Sequence, residues 1–456
     1  MARNLNRRQF LQRSQRTGAG LAAGMTILAD PGSVRAAPAN DKIIMAIVGC
    51  RGRGLSLVYG FTDRGDCEFA YLADVYTQRF SNAKNIARHQ GGREPKCVQD
   101  FRKALEDKSV DAAVLALPPH WHALATIWSC QAGKDVYVEK PPTHNCWEGR
   151  KMVEAARKHK RIVQVGTQNR SAPYNFAARK YIEEGKLGTL HLCRVYQQRL
   201  SNPNFKIGPD SDPPEGLDWD MWQGPAPKRP YNATVFSRKT QLWDYGGGDI
   251  VGDGIHQLDL ARWLCGVDYP KAVYSTGGRF ASTGDSQMPD TQVVVYDFDG
   301  MEMMMHYGGF MPYILKTEGE VRHNDLFPLW PQSSTRIELF GTEGLMMVGR
   351  MGGGWQVFTR PKSRKPVVKA QRFGRFPDPD HKENFVQCIR SRRLPNADIE
   401  QGHRSVLLSH YGNISYRLGG ERLVIDPATE HIVDNPEAMK LFKRQGRKPW
   451  IIEDEV

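Results

Sequence analysis

No two cysteines in this 456-residue chain have the C-x-x-C spacing, and the eight present (50, 67, 97, 130, 146, 193, 265 and 388) form no metal-like cluster. That excludes a zinc ribbon, a redox dithiol and a disulfide-stapled miniature fold. Several sit inside apolar patterns, as Cys193 does in Leu-His-Leu-Cys-Arg-Val, and read as buried small hydrophobes. No stretch approaches the roughly 18 consecutive apolar residues that a bilayer span requires. No arginine-rich helix, aromatic-interleaved basic stripe or zinc-finger spacing accompanies the formal charge of +13, so nucleic acid is not the partner that charge implies. The basic stretch 360–369 reads as a solvated loop. With 40% hydrophobic and 25% charged residues, the chain is an ordinary globular one, long enough for about two to three domains.

The first forty residues are of another kind. Asn6-Arg7-Arg8-Gln9-Phe10-Leu11-Gln12 precedes a short, weakly apolar, glycine-bearing run over residues 17–28, and Val34-Arg35-Ala36 followed by Ala37 offers a small-residue exit. The combination resembles a twin-arginine export signal. Residues 1–37 are therefore expected to be removed, leaving a periplasmic or secreted protein with no membrane segment. Their loss takes away six arginines and Asp30 and lowers the formal charge from +13 to +8.

From residue 41 strand and helix alternate. Ile43–Val48 is a continuous apolar run, as expected of a strand buried on both faces of a parallel sheet. Further runs at 69–73, 112–116, 136–138 and 162–165 are separated by helical stretches such as 147–159, the pattern of a doubly wound dinucleotide-binding domain, here 41–165. The turn after the first strand reads Gly49-Cys50-Arg51-Gly52-Arg53-Gly54. Gly49 and Gly54 fit G-x-G-x-x-G, while Arg51 holds the middle glycine's place and Gly52 is expected to provide the close backbone approach to a pyrophosphate at the helix N-terminus. Asp74 lies 20 residues beyond Gly54, where an acid accepts the adenosine ribose hydroxyls; this favours NAD, with NADP possible because Arg51 and Arg53 are near.

The segments Ala-Leu-Pro118-Pro-His-Trp-His122-Ala and Ala-Gly-Lys-Asp-Val-Tyr-Val-Glu139-Lys140-Pro141, with Val165-Gly-Thr-Gln168-Asn169-Arg170, residues 246–259 and residues 381–417, resemble the Gfo/Idh/MocA oxidoreductases, the family of glucose–fructose oxidoreductase and inositol dehydrogenase. The resemblance covers nearly all of the chain after the signal. It implies a Rossmann domain followed, over 166–456, by an α+β domain with a large open, mostly antiparallel sheet that often serves as an oligomer interface, hence a homo-oligomer. Alternating tyrosine, valine and methionine in 291–307 suits strands of such a sheet. Carried over, the family's site places Glu139 and Lys140 beside the nicotinamide, with Pro118 and His122 near the cofactor. His120 and His122 lack a third partner of metal-ligand type, and no metal is expected.

Taken as one helix at 100° per residue, 249–260 puts Asp249, Asp253 and His256 on one face and Val251, Ile255 and Leu258 on the other. The family's common pattern has its aspartate four residues before the histidine; here Gly252 stands there and Asp253 is three before. The expected chemistry is hydride exchange with a sugar or polyol, His256 or Lys140 acting as acid/base, Asp253 orienting the histidine, and Gln168, Asn169, Trp222 and Asp249 contacting substrate. Because a periplasm has no evident soluble nicotinamide pool, export would require a tightly held, internally recycled cofactor. The alternatives are a redox-assisted glycoside hydrolase with no net redox change and, in another class, a non-catalytic NAD-dependent binding protein.

Overall fold

The computed structural model describes residues 42–89, 94–200, 205–314, 317–359, 365 and 367–456. The expected export signal and part of the basic stretch lie outside them; residues 367–369, read as loop, open a strand instead.

Six parallel strands form the first sheet: β1 (Ile43–Val48), β2 (Cys67–Ala73), β3 (Lys96–Val98), β4 (Ala112–Leu115), β5 (Asp135–Val138) and β6 (Val163–Val165), in the order β3-β2-β1-β4-β5-β6. The run IIMAIV is buried on both faces because helices cover both. Leu57, Val58 and Phe61 of α1 (Arg53–Thr62) pack with Met45 and Ile47, and α2 (Pro119–Gln131) and α3 (Cys146–Lys158) pack with Val48, Leu115 and Val138. Strand order reverses between β1 and β4, and the crevice beyond their carboxyl ends is where such sheets bind nucleotides.

The second sheet has nine strands: β7 (Leu190–Gln198), β8 (Ala272–Gly278), β9 (Thr291–Phe298), β10 (Met301–Gly308), β11 (Arg336–Gly341), β12 (Gly344–Gly349), β13 (Trp355–Thr359), β14 (Val367–Arg372) and β15 (Leu423–Val424), in the order β14-β13-β12-β11-β7-β10-β9-β8-β15. Only β7 and β10 pair in parallel; every other neighbouring pair is antiparallel. The fold is thus the expected α/β one, a Rossmann-like parallel sheet followed by a mixed, mostly antiparallel one. Alternation puts Val294, Tyr296, Met303, Met305, Ile337 and Leu339 on the covered face, against α4 (Gly254–Cys265) and α6 (Ile399–Arg417). The hairpin between β9 and β10 turns at Asp299-Gly300, where Gly300 has φ +76.

The last eighty residues return to the first sheet. Phe385 and Val386 of α5 (Asp378–Ser391) join the cluster around β1 and α1. His381 Nε2 meets the Val165 carbonyl at 2.9 Å, Gln164 Nε2 donates to the His381 carbonyl at 2.8 Å, and Val165 N–H donates to the Ala397 carbonyl.

A buried ion pair fixes the chain where it leaves the first sheet. Arg170 Nε donates to both Asp259 oxygens at 2.8 and 2.9 Å, and Ser405 Oγ donates to Asp259 Oδ1 at 2.7 Å. Replacing Asp259 by alanine strands a guanidinium in the interior, so thermal or denaturant unfolding should register a loss of about 3–5 kcal/mol; an unchanged melting temperature would show that the pair stabilises nothing.

Candidate active site

The site starts from the turn that closes β1. Gly49 has φ +97, and a Cβ there would meet the Ala116 carbonyl oxygen at 2.4 Å; a Cβ on Gly54 would lie 1.8 Å from the Gly49 carbonyl oxygen. Both glycines are therefore demanded by close backbone approach, within the turn and between the turn and β4. Gly52 has φ +40 and faces open space, and no side chain caps α1. The helix N-terminus and a bare backbone thus face the crevice, which suits a pyrophosphate. Arg51 is exposed at the rim. Gly54→Ala should weaken NADH binding about tenfold or more and cost about 1–3 kcal/mol of stability by displacing the turn; fluorescence titration with NADH checks it, and wild-type affinity would show that the turn tolerates the methyl group.

This turn forms one wall of a cavity of about 370 Å³, which Asp74, Arg79, Pro118, Trp121, Trp222, Phe236 and Lys239 also line. Asp74 is buried at the end of β2. Its carboxylate accepts the N–H groups of Cys50 (2.8 Å) and Tyr76 (2.9 Å) and lies 3.4 Å from Arg79 Nη1. It therefore ties the glycine turn to β2 as well as facing the cavity. Lys239, on the opposite wall, has its pKa pulled down to about 8 by burial and by Arg51 and Arg79.

A second cavity, about 390 Å³, shares Arg53, Ala116 and Leu117 with the first and is also lined by Glu139, Lys140, Gln168, Asp253, His256, Arg322, Arg350, Met351 and Phe376. Lys140 follows β5, and its Nζ donates to the Gly252 carbonyl at 2.9 Å and to Asp253 Oδ1 at 3.2 Å. Arg350 Nη2 donates to the same Asp253 oxygen at 3.2 Å, and Gln197 Nε2 to Oδ2 at 3.3 Å. Glu139 accepts Arg53 Nε at 2.7 Å, and Arg53 Nη2 reaches Asp378 at 2.8 Å. His256 is buried, its Nδ1 makes no hydrogen bond, and its pKa lies well below the ordinary value because of burial and then of Arg350 and Lys140. The ring is thus neutral at neutral pH.

The structure brings Glu139, Lys140, Gln168, Asp253 and His256 together, and Gly49, Arg51, Gly52, Asp74 and Pro118 around the first cavity, but it departs from the sequence-based picture in five places. The helix expected through 249–260 breaks: one short helix covers Gly248–Gly252, α4 begins at Gly254, and Asp253 between them has φ −126 and ψ −33. That break lets Asp253 hold Lys140 and Arg350. Asp249, expected at the substrate, instead receives Arg199 Nη1 (2.9 Å) and Tyr307 Oη (3.0 Å) and does not line the second cavity. Trp222, expected beside the substrate, lines the first cavity and stacks on Trp219 at 4.5 Å. His122 lines neither cavity. Its Nδ1 meets the Pro141 carbonyl at 2.7 Å, and burial lowers its pKa to about 4, so it braces the loop after Lys140 from behind. Asn169 is buried beside Gln168 without lining the second cavity. His120 turns to the Trp222 carbonyl, away from His122's partner, and no metal-like group occurs among the described residues. Sequence reasoning passed over Arg53 as an ion-pair partner and missed Arg322, Arg350, Met351 and Phe376, which come from elements that no motif joins to residue 140.

A nucleotide crevice opening into a polar pocket is the plan of a dinucleotide-dependent enzyme. A family model described as "Oxidoreductase family, NAD-binding Rossmann fold" matches residues 43–167, and its companion, "Oxidoreductase family, C-terminal alpha/beta domain", matches 205–320 and 346–452. The chain belongs to the Gfo/Idh/MocA oxidoreductase family. The uncharacterized oxidoreductase YrbE of Bacillus subtilis is 26% identical over 54% of this chain and 58% of its own length, so the match spans little more than half of that relative. The scyllo-inositol 2-dehydrogenase (NAD(+)) of the same organism is 23% identical over 69% of this chain and 77% of its own. A solved levoglucosan dehydrogenase, in complex with NADH and levoglucosan, matches with a TM-score of 0.62 at 16% identity, over 84% of this chain and 99% of its own, which shows the shared fold.

Proposed function

We propose that the protein is an exported dehydrogenase of a sugar or polyol. The observation that carries this is the convergence of Lys140 Nζ, Asp253 and neutral His256 on a cavity of monosaccharide size that opens from the nucleotide crevice. Inositol and levoglucosan are the substrates named for two similar proteins, which agrees with a polyhydroxylated ligand. NAD, when bound, supplies the hydride acceptor. The chain's own residues then have separate tasks. His256, kept unprotonated, accepts the hydroxyl proton of the reacting carbinol. Lys140, fixed by Asp253 and the Gly252 carbonyl, donates to the same oxygen and orients it. Gln168 and Arg53 complete the polar wall. The arginine pair and apolar run at the N-terminus support export, which in turn favours a cofactor retained through turnover.

Mass spectrometry of the denatured purified protein tests retention: NAD(H) is expected in near-stoichiometric amount, and its absence would overturn the proposal of a resident cofactor. Turnover is tested with a panel of sugars and polyols, with and without added NAD. Oxidation of a free sugar is expected; aglycone released from aryl glycosides without accumulating NADH would assign glycoside cleavage instead.

A further inference from the structure

The second cavity carries more positive charge than its own carboxylates balance. Arg53, Lys140, Arg322 and Arg350 line it against Glu139 and Asp253. Glu139 and, beyond the lining, Asp378 are engaged by Arg53, while Asp253 is shared by Lys140 and Arg350. Arg322 has no carboxylate within ion-pair distance among the described residues. It lies half-buried with its guanidinium 4.3 Å from the centre of the Phe376 ring, and its Nε is buried without a hydrogen-bond partner. The Nε of Arg350, a side chain only 5% exposed, is likewise unpartnered. The backbone fixes this arrangement: Phe376 N–H donates to the Arg322 carbonyl at 3.0 Å, and Gly352, at φ +93, packs so closely on Arg322 that a Cβ there would lie 3.0 Å from its Cα.

Enclosed guanidinium donors left unpaired are costly unless an anion arrives to use them. A planar fork stacked on an aromatic ring is also pre-organised for two parallel bonds to an oxyanion. We propose, building on the dehydrogenase reading above, that the substrate is an acidic sugar or polyol, and that Arg322 with Arg350 binds its carboxylate or phosphate group at the end of the cavity away from the nucleotide. A neutral sugar leaves the Arg322 guanidinium without a partner.

The test uses the full-length protein with NADH bound, reading NADH fluorescence during titration with three kinds of probe. Hexuronates and aldonates (glucuronate, galacturonate, gluconate) supply a carboxylate, glucose 6-phosphate a phosphate monoester, and glucose, galactose and inositol neither. One acidic arm is expected to bind at least about 30-fold more tightly than its neutral counterpart, and which arm does so identifies the anion. Arg322→Gln should bring the acidic and neutral probes level while NADH stays bound, and Arg322→Lys should restore part of the preference. Equal binding of neutral and acidic probes, an unchanged preference in Arg322→Gln, loss of NADH from that variant, or no binding by any probe would each overturn the proposal. An acidic probe that binds tightly yet yields no NADH when the protein is loaded with NAD+ in place of NADH keeps the anion site and overturns the dehydrogenase reading instead, so the two can fail separately.

Discussion

Lys140→Ala should lower kcat by about three orders of magnitude, within the range known for a positioned proton donor or acceptor, while the protein stays folded and keeps its NADH. The side chain lines the second cavity and donates to Asp253 and the Gly252 carbonyl, which leaves one of its three N–H donors for the reacting oxygen of the proposed substrate. Its removal leaves Asp253 still bonded to Arg350 and Gln197, so the break between the two short helices has other support. NADH retention, read by its fluorescence, separates loss of chemistry from loss of cofactor. Lys140→Arg is not a conservative rescue, because a flat guanidinium fork cannot put a point donor where the ammonium was. A rate within tenfold of wild type in the alanine variant would remove the lysine from the chemistry altogether.

The second large effect is acid unfolding well above the pH at which carboxylates titrate. Five buried histidines have proton affinities depressed chiefly by desolvation: His120 and His410 to about 3, His122 and His381 to about 4, and His256 in the same direction. Each accepts a proton at about pH 6.5 once the chain unfolds. Between roughly pH 4 and 6.5 the unfolded chain therefore holds more protons than the folded one, and stability rises with pH and falls on acidification. Each such group contributes a slope approaching about 1.4 kcal/mol per pH unit, so five acting together remove on the order of 5–7 kcal/mol per unit. Total stabilities of folded proteins are about 5–15 kcal/mol. Tryptophan fluorescence should report cooperative unfolding with a midpoint near about pH 5, through the packed Trp121, Trp128 and Trp450 rings. A chain that kept its native spectrum at pH 3.5 would show that protonation of these histidines does not drive unfolding.

What the sequence made legible was whatever depends on local backbone demands. The glycine turn, Asp74 and the Glu139-Lys140-Pro141 segment are short, ordered and tied to β1, β2 and β5, and all three sit at the crevice. The 249–260 stretch was half legible. It puts Asp253 and His256 at the second cavity but not Asp249; a uniform 100° step does not anticipate a break, and it is the break that turns Asp253 toward Lys140. Trp222 misled for a different reason: an aromatic suits a sugar and an adenosine wall equally, and only tertiary placement decides between them. Arg322 and Arg350 carried no signal at all. One lies in a short helix between β10 and β11 and the other just after β12, and nothing local marks either as lining the cavity that holds Lys140.

The return of Asp378–Ser391 to the core around β1 has a consequence for how the molecule is made. About half of the chain, residues 166–397, must emerge after β6 before the nucleotide-binding domain acquires its contacts with Phe385 and Val386 and the Val165–Ala397 hydrogen bond. Expressed by itself, a fragment ending near residue 165 would show bare the surface that Phe385 and Val386 normally cover, and would aggregate rather than serve as a portable dinucleotide module. Loading of NAD is in that sense a late event in biogenesis, tied to the completed polypeptide.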